Sequence, residues 1–89
     1  MKTLKLPERI KLAHLPTPIE ELKNQDLPDG PTIYIKRDDM TGMLFSGNKI
    51  RKLEFAVAEA LQQNADTLIT CGGVQSNHAR ATAVVANKL

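Results

Sequence analysis

Two stretches combine reactive or small polar side chains with glycine where a helix is expected to begin. They are Ser46-Gly47-Asn48-Lys49 and Gly72-Gly73-Val74-Gln75-Ser76-Asn77-His78. A helix start exposes unpaired backbone N–H groups and the positive end of the dipole, so both junctions favour an anionic, carbonyl-bearing ligand. An ammonium is disfavoured there, by about 0.3–1 kcal/mol at a surface site. Lys49 is therefore the candidate for the nucleophilic amine that condenses with an aldehyde. Taken alone, it would be one more basic residue beside Lys36, Arg37, Arg51 and Lys52. Its setting singles it out: Gly47 permits close backbone approach and Asn48 supplies an amide. Ser76, Asn77 and His78 singly read as a helix cap, an exposed first-turn residue and a solvated polar group. As a block, Gln75-Ser76-Asn77-His78 exceeds what capping requires.

The elements that must position these groups follow from pattern. Residues 1–16 carry scattered apolar positions between basic residues and read as an extended arm. Thr17-Pro18-Ile19-Glu20 fits a capping box, which predicts a short helix opening at Glu20-Glu21-Leu22 and ending before Pro28-Asp29-Gly30. Thr32–Arg37 is β-branched and aromatic and predicts a strand, ended by Asp38-Asp39. Ile50, Leu53, Val57, Ala60 and Leu61 recur at helical spacing, so a helix is expected from about Asn48 to Gln63, with Asn64 able to turn left-handed at its end. Thr67–Cys71 predicts a strand buried on both faces, with Cys71 a small buried residue. A second helix is expected from about Ser76, its N-cap. Strand, helix, strand and helix with short connections predict a βαβα unit of a parallel sheet, whose ligands gather at the carboxyl ends of the strands. His14, Asp38 and Asp39 are given no chemical role.

Composition excludes several other classes. The 89 residues are 42% hydrophobic and 25% charged, an ordinary globular balance with room for one small domain. No run reaches the roughly 18–20 apolar residues of a membrane span, and the start lacks a signal-peptide core, so a cytoplasmic setting without a membrane partner is expected. A net charge of +2 with one Tyr and two Phe gives no basis for a nucleic-acid partner. The single Cys71 and the lack of cysteine–histidine spacing leave no metal site to expect. Gly42 and Gly47 are spaced as in a phosphate loop, but Asn48 intervenes before Lys49 and Ile50 stands where a magnesium-binding hydroxyl is needed. Gly72-Gly73-Val74-Gln75 likewise lacks the spaced glycines of a dinucleotide fingerprint. The sequence stops at Asn87-Lys88-Leu89 within a predicted helix without a capping glycine, and reads as the front part of a longer chain.

Three blocks carry a resemblance. Lys36-Arg37-Asp38-Asp39, the run from Ser46 to Phe55 and the run from Ala65 to Arg80, with Pro16-Thr17-Pro18 ahead of them, resemble the amino-terminal part of the D-cysteine desulfhydrase and 1-aminocyclopropane-1-carboxylate deaminase family. The resemblance implies a tryptophan-synthase-β type of fold with two α/β domains. Residues 1–89 would then be the truncated amino-terminal part of one domain: about 1–47 as arm, short helix and strand, and about 48–89 as the helix-strand-helix carrying the cofactor lysine. It implies pyridoxal 5'-phosphate bound covalently to Lys49, Asn77 hydrogen-bonded to the cofactor ring hydroxyl, and Ser76 facing the substrate carboxylate. The implied reaction is that of a lyase on a small amino acid, most closely D-cysteine to pyruvate, sulfide and ammonia, in a homodimer. Ser46 and His78 look more like the desulfhydrase branch than the deaminase branch. A 1-aminocyclopropane-1-carboxylate deaminase, or a non-catalytic remnant, is the alternative. The glycine-rich phosphate loop, the partner of the pyridine nitrogen and later substrate contacts lie outside these residues, and the 89-residue piece is expected to be inactive alone because one small layer of sheet leaves an apolar face uncovered.

Overall fold

The helical stripe around Ile50 organises the chain in the computed structural model, which describes residues 2–23, 29–42 and 47–89. Helix α1 spans Lys49–Gln62 and buries Ile50, Leu53, Glu54, Val57 and Ala58. Ala60 is only half-buried and Leu61 is exposed, so the stripe is narrower at its far end than the spacing predicts. The helix closes as expected. Asn64 sits at φ 56°, the Ala65 N–H donates to the Ala60 carbonyl and the Asn64 N–H to the Leu61 carbonyl. That pair of bonds is a Schellman closure with Asn in the place glycine often takes.

Helix α2 spans Asn77–Lys88 and buries Ala81, Thr82 and Val85. Its start is capped by Ser76, whose Oγ accepts the Ala79 N–H at 3.1 Å. The two helices pack on each other, and the arm lays Leu12 and Ala13 across them to complete one small core with Ile50, Leu53, Val57, Ala81 and Val85. Ile10, Leu15 and Leu68 border it.

Two expectations are corrected. Ile19–Leu22 is a strand, β1, paired antiparallel with β2 (Ile33–Lys36) in the register Ile19 to Lys36 through Leu22 to Ile33. The capping-box side chains are used otherwise: the Thr17 hydroxyl donates to Asp38, and Glu20 takes Arg37. Cross-strand pairing overrides the local helix signal, as context does for short segments. The expected end of that helix, before Pro28, lies outside the described residues.

The second correction concerns the parallel βαβα unit. Among the described residues the sheet has two strands, β1 and β2, and they run antiparallel. Thr67–Cys71 belongs to no helix or strand and has no strand beside it among the described residues, Ile69 is 93% exposed and Cys71 is exposed. A segment becomes a strand only when a neighbour takes up its N–H and C=O groups, and no described segment lies alongside Thr67–Cys71 to do so. The same cause leaves Ile69 and Cys71 unburied.

The strand pair does not pack on the helices; α1 with α2 and β1 with β2 are the element contacts among the described residues. The radius of gyration, 17.0 Å, exceeds the roughly 12 Å of a compact chain of this length accordingly. A polar cluster around Asp38, which opens a 3-10 turn at Asp38–Met40 directly after β2, joins the two parts.

Candidate functional site

Lys49 is the first residue of α1 and is half-buried. Asn48, in the N-cap position, has helical dihedrals and makes no side-chain cap, so the helix start is held from elsewhere. Gly47 turns the chain into it at φ 111°, a conformation costly for any residue with a Cβ. Its N–H is shared between the Asp38 carbonyl at 3.0 Å and Thr41 Oγ1 at 2.9 Å. Thr41, fully buried, returns its hydroxyl hydrogen to the carbonyls of Gly47 at 2.9 Å and Asp38 at 3.1 Å. Ser46 lies outside the described residues, so its place in this junction is not part of the geometry.

Asp38 is the hub of the cluster. Arg51 Nε donates to Oδ2 at 2.9 Å and Nη2 to Oδ1 at 3.0 Å, a two-pronged ion pair. The Thr17 hydroxyl donates to Oδ1 at 2.9 Å and accepts from Arg51 Nη2 at 3.1 Å. The Arg51 guanidinium, and then the Thr17 hydroxyl, hold the Asp38 carboxyl below the usual carboxylate range. Asp39 is likewise lowered by Arg37, which also pairs with Glu20 at 2.8 Å; this pair lies on the surface, where ion pairs stabilise little.

Glu54 is a second unexpected anchor. It is 2% exposed, and its Oε2 accepts the N–H groups of Leu12 at 2.7 Å and Ala13 at 3.1 Å, while its carbonyl takes the Ile10 N–H at 3.1 Å. A buried carboxylate that satisfies two backbone donors is how this small core fastens the arm.

The second junction is tightly built on one side and open on the other. A Cβ added at Gly72 would collide with the Ser76 side chain, so glycine is needed there for close packing, whereas Gly73 has open space around it. Ser76 uses its oxygen as the cap and keeps its hydroxyl hydrogen for another acceptor. Gln75 and Asn77 are exposed. His78 Nδ1 is buried without a hydrogen-bond partner among the described residues.

The two junctions lie at the same end of the helix pair. The late turns of both helices line one cavity, Val57, Ala60 and Leu61 facing Ala86 and Leu89. Nearer the start, Leu53, Ala56 and Val57 share a cavity with His78 and Thr82. The helices therefore run in the same sense, and α1 begins about one turn, roughly 6 Å, beyond the level of the α2 start. No hydrogen bond joins Lys49 to Ser76 or Asn77, and the side chains of Lys49 and Asn77 enter no hydrogen bond or ion pair among the described residues. Amine, amide and hydroxyl hydrogen are thus uncommitted at one end of the structure. His14, exposed, stands apart from both junctions.

The sequence alone points to no role for Asp38, Arg51 or Glu54. For Glu54 a signal existed: it falls one residue after Leu53 and three before Val57, on the apolar face of α1, where an acidic residue demands a partner. Asp38 and Arg51, 13 residues apart across a loop, offer no periodicity to read.

Among the described residues, no helix is long and apolar enough to cross a membrane, and no group of three His, Cys, Asp or Glu side chains could hold a metal ion.

Comparison with known proteins places this geometry in a family. Residues 10–89 match the family model described as pyridoxal-phosphate dependent enzyme. The chain is 63% identical over 78 residues to a bifunctional D-cysteine desulfhydrase/1-aminocyclopropane-1-carboxylate deaminase, mitochondrial, of Arabidopsis thaliana, covering 88% of this chain and 20% of the plant protein. It is 57% identical over 81 residues to a D-cysteine desulfhydrase of Salmonella paratyphi A, covering 91% of this chain and 25% of that protein. The chain thus spans a fifth to a quarter of the length of these relatives. The uncommitted amine, amide and hydroxyl at the helix starts suit an aldehyde-bearing, phosphorylated cofactor, and the chain belongs to the pyridoxal-phosphate dependent enzyme family.

Proposed function

We propose that this chain is the amino-terminal part of a pyridoxal-phosphate dependent lyase that converts D-cysteine and water to pyruvate, hydrogen sulfide and ammonia. The observation that carries the reading is the uncommitted Lys49 amine at the start of α1, on the same end of the helix pair as the Ser76-capped turn. The names of the relatives, reported above, supply the substrate class. Bound at a lysine, pyridoxal phosphate draws electrons from the α-carbon of an amino acid.

What the chain's own residues contribute follows from their chemistry. Lys49 would hold the cofactor through its amine, and its Nζ is the group that would accept the α-proton of the substrate. Asn77 orients the cofactor ring through its amide, and Ser76 offers its free hydroxyl hydrogen to the substrate carboxylate. The buried His78 Nδ1 adds one polar atom that has no partner among the described residues. The finer architecture belongs to the same proposal: two α/β domains, with Thr67–Cys71 taken into a parallel sheet, assembled as a homodimer. The plant relative is named for two activities, which favours a second reading in which 1-aminocyclopropane-1-carboxylate is also a substrate.

The test uses the intact protein. After reduction with borohydride in the presence of pyridoxal phosphate, peptide mapping is expected to find the label on Lys49, and D-cysteine to release pyruvate; Lys49→Ala is expected to abolish both. Label spread over Lys36, Lys52 and Lys88, or wild-type turnover by Lys49→Ala, would refute the assignment.

A further inference from the structure

We propose that Asp38 and Arg51 are positioning residues for Lys49, an inference that rests on Lys49 being the cofactor lysine. Asp38 grips the chain on both sides of that residue. Its carbonyl accepts the N–H of Gly47, two residues before Lys49, at 3.0 Å. Its carboxylate receives the guanidinium of Arg51, two residues after, at 2.9 and 3.0 Å.

The usual device for fixing a helix start is missing, since Asn48 makes no side-chain cap. Asp38 replaces it from outside the helix. A two-pronged guanidinium–carboxylate pair fixes orientation as well as distance. Rolling α1 by one residue, about 100°, would break it. Two residues are about 200° around a helix, so the face of α1 that is tied to Asp38 lies nearly opposite the face from which Lys49 emerges. Holding Arg51 therefore sets the direction in which the Lys49 amine leaves the helix.

Two threonines close the arrangement. Thr17, buried, bridges Asp38 and Arg51 through its hydroxyl, and Thr41, fully buried, fastens Gly47 a second time. These bonds also form the joint between the strand pair, whose β2 ends at Lys36 two residues before Asp38, and the helix pair, whose α1 begins at Lys49. The position of the amine is thus referred to the sheet rather than left to the loop between them.

In the intact protein, Asp38→Asn keeps the side-chain shape and removes the charge, and Arg51→Lys keeps the charge and removes the fork. Both variants are expected to retain wild-type far-ultraviolet circular dichroism and to carry the borohydride label on Lys49. Their circular dichroism in the cofactor absorption band, per bound cofactor, is expected to fall at least twofold, with kcat reduced on the order of 10- to 100-fold, as for an ångström-scale misplacement. A fold defect alone would not change the cofactor signal of the correctly folded fraction. Folded variants with the wild-type cofactor signal and kcat would overturn the proposal. Were neither variant to fold, Thr17→Val, which removes only the bridging hydroxyl, decides: a diminished cofactor signal supports the positioning role and an unchanged one overturns it. Absence of label on Lys49 in the wild-type protein would instead refute the assignment of Lys49 itself.

Discussion

Replacing Glu54 tests how the arm is fastened. In Glu54→Ala, the N–H groups of Leu12 and Ala13 lose a charged acceptor that now lies at 2.7 and 3.1 Å. A hydrogen bond to a charged group nets about 1.5–3 kcal/mol, which sums to roughly 3–6 kcal/mol for two. Release of the carboxylate's burial penalty offsets part of this. The arm can also lift away, and what it then loses is the packing of Leu12, about 1.5–3 kcal/mol. Local opening should therefore become easier by about 3 kcal/mol, near a hundredfold at 1.4 kcal/mol per decade. Glu54→Gln leaves an oxygen in place but neutral, with roughly half the bond strength, so about a tenfold change is expected. Hydrogen exchange at the Leu12 and Ala13 amides reads this directly, with rates ordered Ala above Gln above wild type. Unchanged exchange at both amides in Glu54→Ala would refute the reasoning, because those donors would then have no need of the carboxylate.

Other substitutions probe the second junction and the joint. Ser76→Ala removes the cap of α2 and is expected to cost about 1 kcal/mol in chemical denaturation, whereas Ser76→Thr keeps the acceptor and most of the stability. Gly72→Ala forces the new methyl against Ser76, and overpacking of this kind should cost about 1–3 kcal/mol with an altered near-ultraviolet signal. The acid limb of stability depends on Asp38. Its carboxyl is lowered by Arg51 in the folded state, so the stability it adds is complete above the ordinary aspartate value of about 3.9 and is lost as pH falls through the lower folded value. Thermal melts between about pH 4 and pH 2 should be flatter for Asp38→Asn than for wild type.

Where local rules suffice, the sequence predicts the structure closely. The stripe from Ile50 to Val57 yields α1 within one residue at each end, Asn64 turns left-handed, and Ser76 caps α2. β2 falls within the predicted Thr32–Arg37. The failures are non-local. Thr17-Pro18-Ile19-Glu20 has the residues of a capping box, but its hydroxyl and carboxylate find Asp38 and Arg37, brought near by the pairing of β1 with β2. Thr67–Cys71 has the composition of a buried strand, and composition cannot supply a neighbour for it to pair with.

The same distinction separates the parts of the site. Lys49, Ser76 and Asn77, the residues of the proposed site, are picked out by local features: a glycine, a cap and a helix start. The bonds that hold the start of α1 are not local. Asp38 reads as a strand terminator, yet its carbonyl and carboxylate hold opposite sides of the turn around Lys49. Glu54 reads as an ordinary helical acid, yet its buried oxygen binds an arm more than 40 residues away in sequence. Both anchors act between segments that meet only in the folded chain, and both place an ionised side chain on backbone N–H groups or a guanidinium, where a hydrogen bond is stronger than between neutral partners. A core of seven buried apolar side chains among the described residues has few contacts with which to enforce orientation. Directional bonds to Asp38 and Glu54 do so, and they converge on the first two turns of α1, the segment that carries Lys49.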